Sequence, residues 1–534
     1  MNKIEKILGL LVLLFINYNL AAQFPQIKWW YDTRDASFGQ SAIAEIDRNG
    51  NKVIAFGCFR NDSSIYALNA ADGKLKWKYN AATQFAEGCN DVAMLFYDID
   101  KDDTLELIVP SSCNPLTYCF NSNSGLVKWK EDTRGSDSPP VIADLDQDGK
   151  LEILHGEFGG YVVCLDALTG KQKWEIAVDL NSWVQTAPTI VDVNQDGKLD
   201  FVVATWGFSD NSKLYAFDGN TQKEIWSIKM NDVVYHGTAV ADLDFDDKPE
   251  LVVGDYSGRL HVINAEDGST AWYYQSDYYI GSPAVIGDLD GDSKCEIIFA
   301  SYFKIIALSN IGDSLWQFNI PDYGQCFRGV VLSDINENGK LDVIFGSSNG
   351  SVYALDGMNG TPIWSLDLQA HYGDTFSIDH APVIADFDNN DTLDLFVVGG
   401  KTRYPEFNKS YGRGYAIAIG KGDGPEWKMF QRDYYRTSST CYPYNILSIV
   451  NEEKPFHFYT YPNPLGTRGE LYLDININTD YKIAIHDIFG REVYCGMNIK
   501  SISINECSLE AGVYFITIFY NKGLFTNKIM ITLE

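Results

Sequence analysis

Residues 144–152 read Asp-Leu-Asp-Gln-Asp-Gly-Lys-Leu-Glu, and residues 192–200 read Asp-Val-Asn-Gln-Asp-Gly-Lys-Leu-Asp. Each stretch separates two apolar runs. The pattern places acids or amides at positions 1, 3 and 5, a turn at 6 and an acid at 9. It begins again at Asp98, Asp242, Asp288, Asp334 and Asp386, with a degenerate copy at Glu45, so successive starts lie 46 to 53 residues apart. After each acidic loop comes a strand-like run such as Leu151 to His155, a Gly-containing turn, and a second run such as Tyr161 to Leu165. A third run, centred on tryptophan, completes the unit: Trp77, Trp129, Trp174, Trp226, Trp272, Trp316, Trp364 and Trp427.

Four short strands in a repeat of this length are the arithmetic of a β-propeller blade. The expected fold is all-β: an eight-bladed β-propeller over residues 23–436, followed by a small β-sandwich domain. Seven blades are the alternative, because the first copy is degenerate. The periodic tryptophans are expected to pack between blades. The segment Ile27 to Tyr31 has strand character and is expected to pair with the last blade, near Trp427, to close the circle. Ring closure also removes the open sheet edges that a stacked array would have to cap.

The chain has 534 residues, of which 45% are hydrophobic and 21% charged, enough to bury a core. With 42 basic against 72 acidic residues, the net charge of -30 excludes nucleic acid, whose phosphates need a basic footprint. Lys3 and Lys6, the apolar run Ile7 to Ile16 and the small pair Ala21-Ala22 read as a signal peptide over residues 1–22. No other stretch is apolar for long enough to cross a bilayer as a helix, so no transmembrane segment is expected after signal removal. An exported chain with ten cysteines permits disulfides. Cys113 with Cys119, and Cys495 with Cys507, are near enough to consider, whereas Cys164 and Cys295 sit in apolar patterns that suit plain buried thiols.

The acidic loops offer oxygen donors only, which is hard-cation chemistry and suits the flexible coordination sphere of Ca2+, one ion per loop. The candidate ligands are Asp98, Asp100, Asp102 and Glu106; Asp144, Asp146, Asp148 and Glu152; Asp192, Asn194, Asp196 and Asp200; Asp242, Asp244, Asp246 and Glu250; and Asp288, Asp290, Asp292 and Glu296. Weaker sets are Asp334, Asn336, Asn338 and Asp342, and Asp386, Asp388, Asn390 and Asp394, where Asn stands at position 5. The first copy has Val53 at position 9 and is expected to bind no metal. Strand formers follow each loop, where an EF-hand would continue into a helix.

These loops, with Ala-Pro upstream at Ala187-Pro188 and Ala381-Pro382, resemble the FG-GAP/VCBS repeats of integrin-alpha-type propellers. The run Tyr353 to Trp364 is also similar to quinoprotein-type propeller repeats. Together the resemblance covers about residues 29 to 436. It implies metals bracing one face and ligands bound on the other. After a linker over residues 437–455, residues 456–534 carry Tyr461-Pro462-Asn463-Pro464, Ile485 to Arg491 and Gly512-Val-Tyr514, and resemble the C-terminal sorting domain of type IX secretion substrates. That resemblance implies the type IX machinery as a partner and a secreted or cell-surface location.

Propellers usually place ligands over the central channel. Six residues before each acidic loop the units carry Gly39, Val92, Ser138, Thr186, His236, Ser282, Arg328 and His380, a row expected to ring the channel mouth. His236, Arg328 and His380, with Trp183 and Tyr235 as stacking surfaces, form a candidate ligand site for an anion or a sugar acid. The favoured reading is a calcium-binding module for glycan or surface protein. The alternative is a propeller enzyme, either a polysaccharide lyase with His236 or His380 as base or a quinoprotein-like oxidoreductase.

Overall fold

The computed structural model describes residues 24–441, apart from 48–49, 84–86, 209–211 and 423, and most residues between 458 and 532 as a second unit. The expected signal peptide, and the part of the expected linker from residue 442 on, lie outside the described residues.

Eight four-stranded sheets make the first unit. In the third, Val141–Ala143, Glu152–Glu157, Tyr161–Asp166 and Gln172–Ala177 pair antiparallel in chain order, innermost strand first. Inner strands are buried on both faces, while outer strands alternate, as in Val127–Asp132. The core lies between blades: Val191, Val202 and Leu214 of the fourth pack with Val240, Leu251 and Ile263 of the fifth. The eighth sheet joins the two ends of the unit. Val383–Ala385, Leu393–Lys401 and Tyr411–Gly420 are completed by Gln26–Thr33, with Trp30 opposite Tyr415. The eight-bladed reading and the closing role of Ile27 to Tyr31 therefore hold.

Tryptophans on the outer strands clamp several blades to the next. Trp77 Nε1 donates to the Ser122 carbonyl, Trp129 to Ala167, Trp226 to Ala265 and Trp316 to Gly357, each in the turn after the next blade's third strand. That turn brings a glycine under the indole. At Gly268, with φ +73°, an added Cβ would meet Trp226 at 2.9 Å. The expectation fails for Trp427, which is buried and bridges Ile384 beside the channel. Its place in the series belongs to Trp29, which donates to Ala70 of the first blade. The reason is the seam: the outer strand of the last blade comes from the start of the unit, so its tryptophan does too.

Residues 424–441 turn into the channel and fill it. The innermost strands have N–H groups facing the axis, and this segment satisfies them. Asp334 N donates to Gly424 O, Ile384 N to Trp427 O, Ile43 N to Lys428 O, Ile190 N to Tyr435 O, Val240 N to Thr437 O and Ile286 N to Ser438 O. The two remaining blades are reached by the buried Arg436, which donates to Pro140 O at 2.8 Å and to Met94 O at 3.5 Å. Residues 437–441, expected in the linker, thus belong to the propeller. Cys441 is disulfide-bonded to Cys295 in the sixth acidic loop, and Cys89 to Cys113. Both findings correct the sequence reading: Cys119 is a buried free thiol, and Cys295 is not one. Cys164 is a buried thiol as expected, and Cys507 lies outside the described residues.

The second unit has a three-stranded sheet containing Phe458–Tyr461 and Glu470–Ile475, and a five-stranded sheet containing Lys482–Asp487, Gly512–Tyr520 and Gly523–Thr532. Leu471, Ile483, Ile485, Ile516 and Ile529 form its core. No helix among the described residues is long and apolar enough to cross a membrane.

Candidate functional site

Strand direction divides the propeller into two faces. The acidic loops join first and second strands and lie on one face. The connections that enter each blade, and the turns between second and third strands, lie on the other.

On the acidic face, the first Asp of a loop accepts backbone N–H groups from within the loop, as Asp144 does from Asp148 and Gly149 at 3.0 and 2.9 Å and Asp288 from Gly291 and Ser293. Position 9 caps position 2: Glu152 accepts from Leu145 N at 2.9 Å. Five groups of acidic side chains converge to within 4.8 Å: Asp98, Asp100 and Glu106; Asp144, Asp146 and Glu152; Asp242, Asp244 and Asp246; Asp288, Asp290 and Glu296; Asp386, Asp388 and Asp394. Asp102, Asp148 and Asp292 instead accept from the backbone two residues on, and Asp196 and Asn338 do the same in the remaining two loops. In those two loops Asn stands at position 3, and Asn336 donates to Asp342 at 2.9 Å.

Sequence spacing did not reveal a lysine that enters three of the five groups. It precedes the clamp tryptophan on the outer strand. Lys128 Nζ lies 2.6 Å from Asp100 and 2.8 Å from Glu106, Lys173 lies 2.9 Å from Asp146 and 2.6 Å from Glu152, and Lys28 lies 2.9 Å from Asp388 and 2.7 Å from Asp394. Ala271 and Leu315 stand at that position in the fifth and sixth blades. The cation nearest the Asp242 group, Lys248, is 3.9 Å from Asp246 and pairs with Glu266 at 2.8 Å. Among the described residues no basic side chain pairs with Asp288, Asp290 or Glu296. Burial pushes Glu250 and Glu296 up to about 7.

The opposite face holds a cavity of about 630 Å³ over the plugged channel, with Phe430 of the plug among its lining residues. His236, Arg328, Trp183 and Tyr235 line it together, as do Gly39 and Val92. His380 does not: it is buried and its Nε2 lies 3.1 Å from Ser41 Oγ. Ser138, Thr186 and Ser282 are buried turn residues that bond to backbone carbonyls. The row one residue earlier, which sequence reasoning passed over, contributes Asp91, Asp137, Phe327 and Asp379 to the lining, and Gln185 donates to Asp137 at 3.0 Å. At Phe38-Gly39, Asp91-Val92, Tyr235-His236 and Phe327-Arg328 both neighbours line the cavity, so the wall is drawn from the two rows together.

Burial, then the nearby charge of Asp137, pushes Asp91 up to about 7. Burial also raises Asp137 and Asp379, against the pull of Arg328. Burial first, then Arg328, lowers His380 to about 3 and His236 well below its ordinary range. Arg328 lies 5.3 Å from the Tyr235 ring centroid and 5.6 Å from that of Phe327.

Because the folded pKa of Asp91 is above its unfolded value, ionisation costs stability as pH rises from about 4 to about 7, and the cost is complete above that range. Asp91→Asn is expected to raise the melting temperature at pH 8 and leave it nearly unchanged at pH 4, as scanning calorimetry would show.

Comparisons with known proteins agree with this architecture. The family model described as outer membrane protein assembly factor BamB matches residues 114–278 and 210–431, together more than half of the chain. The model of the secretion system C-terminal sorting domain matches residues 459–532. A quinohemoprotein alcohol dehydrogenase, ADH-IIG of Pseudomonas putida, is 25% identical over 231 residues, covering 40% of this chain and 30% of that protein. A polyvinylalcohol dehydrogenase of Sphingopyxis sp. is 28% identical over 126 residues, covering 23% of this chain and 17% of that protein. The chain thus spans less than a third of the length of these curated relatives. Among solved structures, the V. cholerae biofilm matrix protein Bap1 aligns with a TM-score of 0.56 at 15% identity, over 76% of this chain and 94% of that one. A europium-containing methanol dehydrogenase aligns with a TM-score of 0.54 at 13% identity, over 74% and 93%. The matching repeat model is of the PQQ/BamB type and not the FG-GAP type that the acidic loops resemble. The chain belongs to the family of β-propellers built from PQQ/BamB-type repeats, and it carries a C-terminal sorting domain of type IX secretion that directs it across the outer membrane.

Proposed function

We propose that the protein is an exported binding module that takes a glycan, or failing that a segment of surface protein, in the cavity opposite the acidic loops. One observation carries this reading: the cavity combines aromatic rings with buried polar atoms that have no protein partner, among them His236 Nε2, Arg328 Nε and Asp91 Oδ1. A lyase using His380 as base would need that ring at the cavity, and it is packed against Ser41 instead. The test is a glycan array together with a bond-cleavage assay on acidic polysaccharides. Binding without cleavage is expected. Turnover that disappears in a His236→Ala/His380→Ala variant would overturn the reading.

The acidic loops act as calcium braces of FG-GAP/VCBS type on a PQQ/BamB-type ring. The donor set fits: carboxylates converge, and in the Asp242 and Asp288 loops no lysine bridges them. Bound Ca2+ would supply the missing positive charge and pin the hairpin. In the Asp98, Asp144 and Asp386 loops, Lys128, Lys173 and Lys28 already do so. Millimolar Ca2+ is therefore expected to raise the melting temperature, because a ligand that binds only the folded state stabilises it. The response should vanish in Asp244→Asn/Asp290→Asn and survive in Asp146→Asn. A melt indifferent to Ca2+ and chelator would refute the brace.

A further inference from the structure

The cavity is more specific than a generic sugar cleft. Three carboxylates, Asp91, Asp137 and Asp379, face it against one guanidinium, Arg328. They are absent from the groups whose oxygens converge to within 4.8 Å, so they do not form a metal cage. When ionised they outnumber the one guanidinium on the wall, and a bound organic cation would favour that ionised form.

The partnerless atoms narrow the choice. His236 and Gln40 are 6% and 3% exposed, and both line the cavity. The other ring nitrogen of His236 engages the Phe327 backbone, so in the neutral imidazole Nε2 is an unmet acceptor. Asp91 Oδ1 is a second acceptor, while Gln40 Nε2 and Arg328 Nε are unmet donors. Two donors and two acceptors among the lining residues match hydroxyl groups, which do both. A basic peptide side chain offers only donors. Trp183, 37% exposed, and Phe158, with ring centroids 4.9 Å apart, supply an apolar surface for the C–H face of a pyranose.

Resting on the glycan reading above, we propose that the cavity selects a saccharide bearing a free ammonium group, an un-acetylated amino sugar, with the ammonium held by Asp91 and Asp137 and the hydroxyls by Gln40, His236 and Arg328. This replaces the anionic ligand expected from the sequence, because that expectation counted Arg328 and the histidines without the acidic row beside them.

The experiment titrates the full chain with three trisaccharides of β-1,4-linked glucose type: one carrying free amines, one N-acetylated, and one with hydroxyls only. The free amine is expected to bind at least tenfold more tightly than the other two, with the preference shrinking as salt is added. Asp91→Asn/Asp137→Asn should abolish the preference. If that variant does not fold, the comparison of the three sugars on the unaltered chain decides alone. Equal affinity for amine and acetamide overturns the charge inference and leaves a glycan cavity. No binding of any of the three overturns the inference, and silence across a wider glycan array as well overturns the glycan reading with it.

Discussion

Replacing Arg436 with methionine is expected to lower the free energy of unfolding by about 3–5 kcal/mol, in the range of losses of a buried charged hydrogen-bonding group. The guanidinium is fully buried and donates to the Pro140 carbonyl at 3.1 and 2.8 Å, and to Phe430 O and Met94 O. Those carbonyls belong to the second and third blades and to the plug itself. Methionine fills much of the volume but leaves each acceptor without a donor in a site that water cannot easily reach. Chemical denaturation of the two proteins measures the difference. A loss under about 1 kcal/mol would mean that the plug is held by its backbone alone.

Trp226→Ala should cost about 3–5 kcal/mol, the usual range for removing a large aromatic from a packed site. The indole is 9% exposed, bonds to Ala265 O at 2.8 Å and lies over Gly268 of the following blade. Its removal opens a gap between two blades, and the repeat offers nothing to refill it. Trp364 provides the internal comparison. Its buried Nε1 has no partner, because the blade after it is the seam, where the chain leaves Gly420 for the plug instead of making the turn that would present a carbonyl. Trp364→Ala is expected to cost measurably less.

The repeat made the ring legible, because acidic loop, strand run and tryptophan return at fixed offsets and each offset has one structural meaning. The plug left no such trace. Residues 424–441 have no periodicity, and 437–441 look like the start of a linker until the inner strands are seen to need partners on the axis. The disulfides were hidden for a related reason: Cys295 and Cys441 are 146 residues apart, and only ring closure makes them neighbours. At the cavity, half of the expected row, Gly39, Val92, His236 and Arg328, does line the wall, but the residue before each was not considered, so the acids at 91, 137 and 379 went unread. The lysines of the acidic loops precede tryptophans that drew attention to packing, and their role depends on the strand returning to the loop's side.

The pairing of Gln26–Thr33 with Tyr411–Gly420 sets an order of events during biogenesis. A contact spanning nearly the whole propeller is slow to form, and none of the intervening blades can substitute for it. Until residues 411–420 and the plug have joined the ring, the other seven sheets stand on an open arc with one flank wet. A chain ending before Tyr411 lacks both the closing partner and the plug, and limited proteolysis should cut it faster than the full chain.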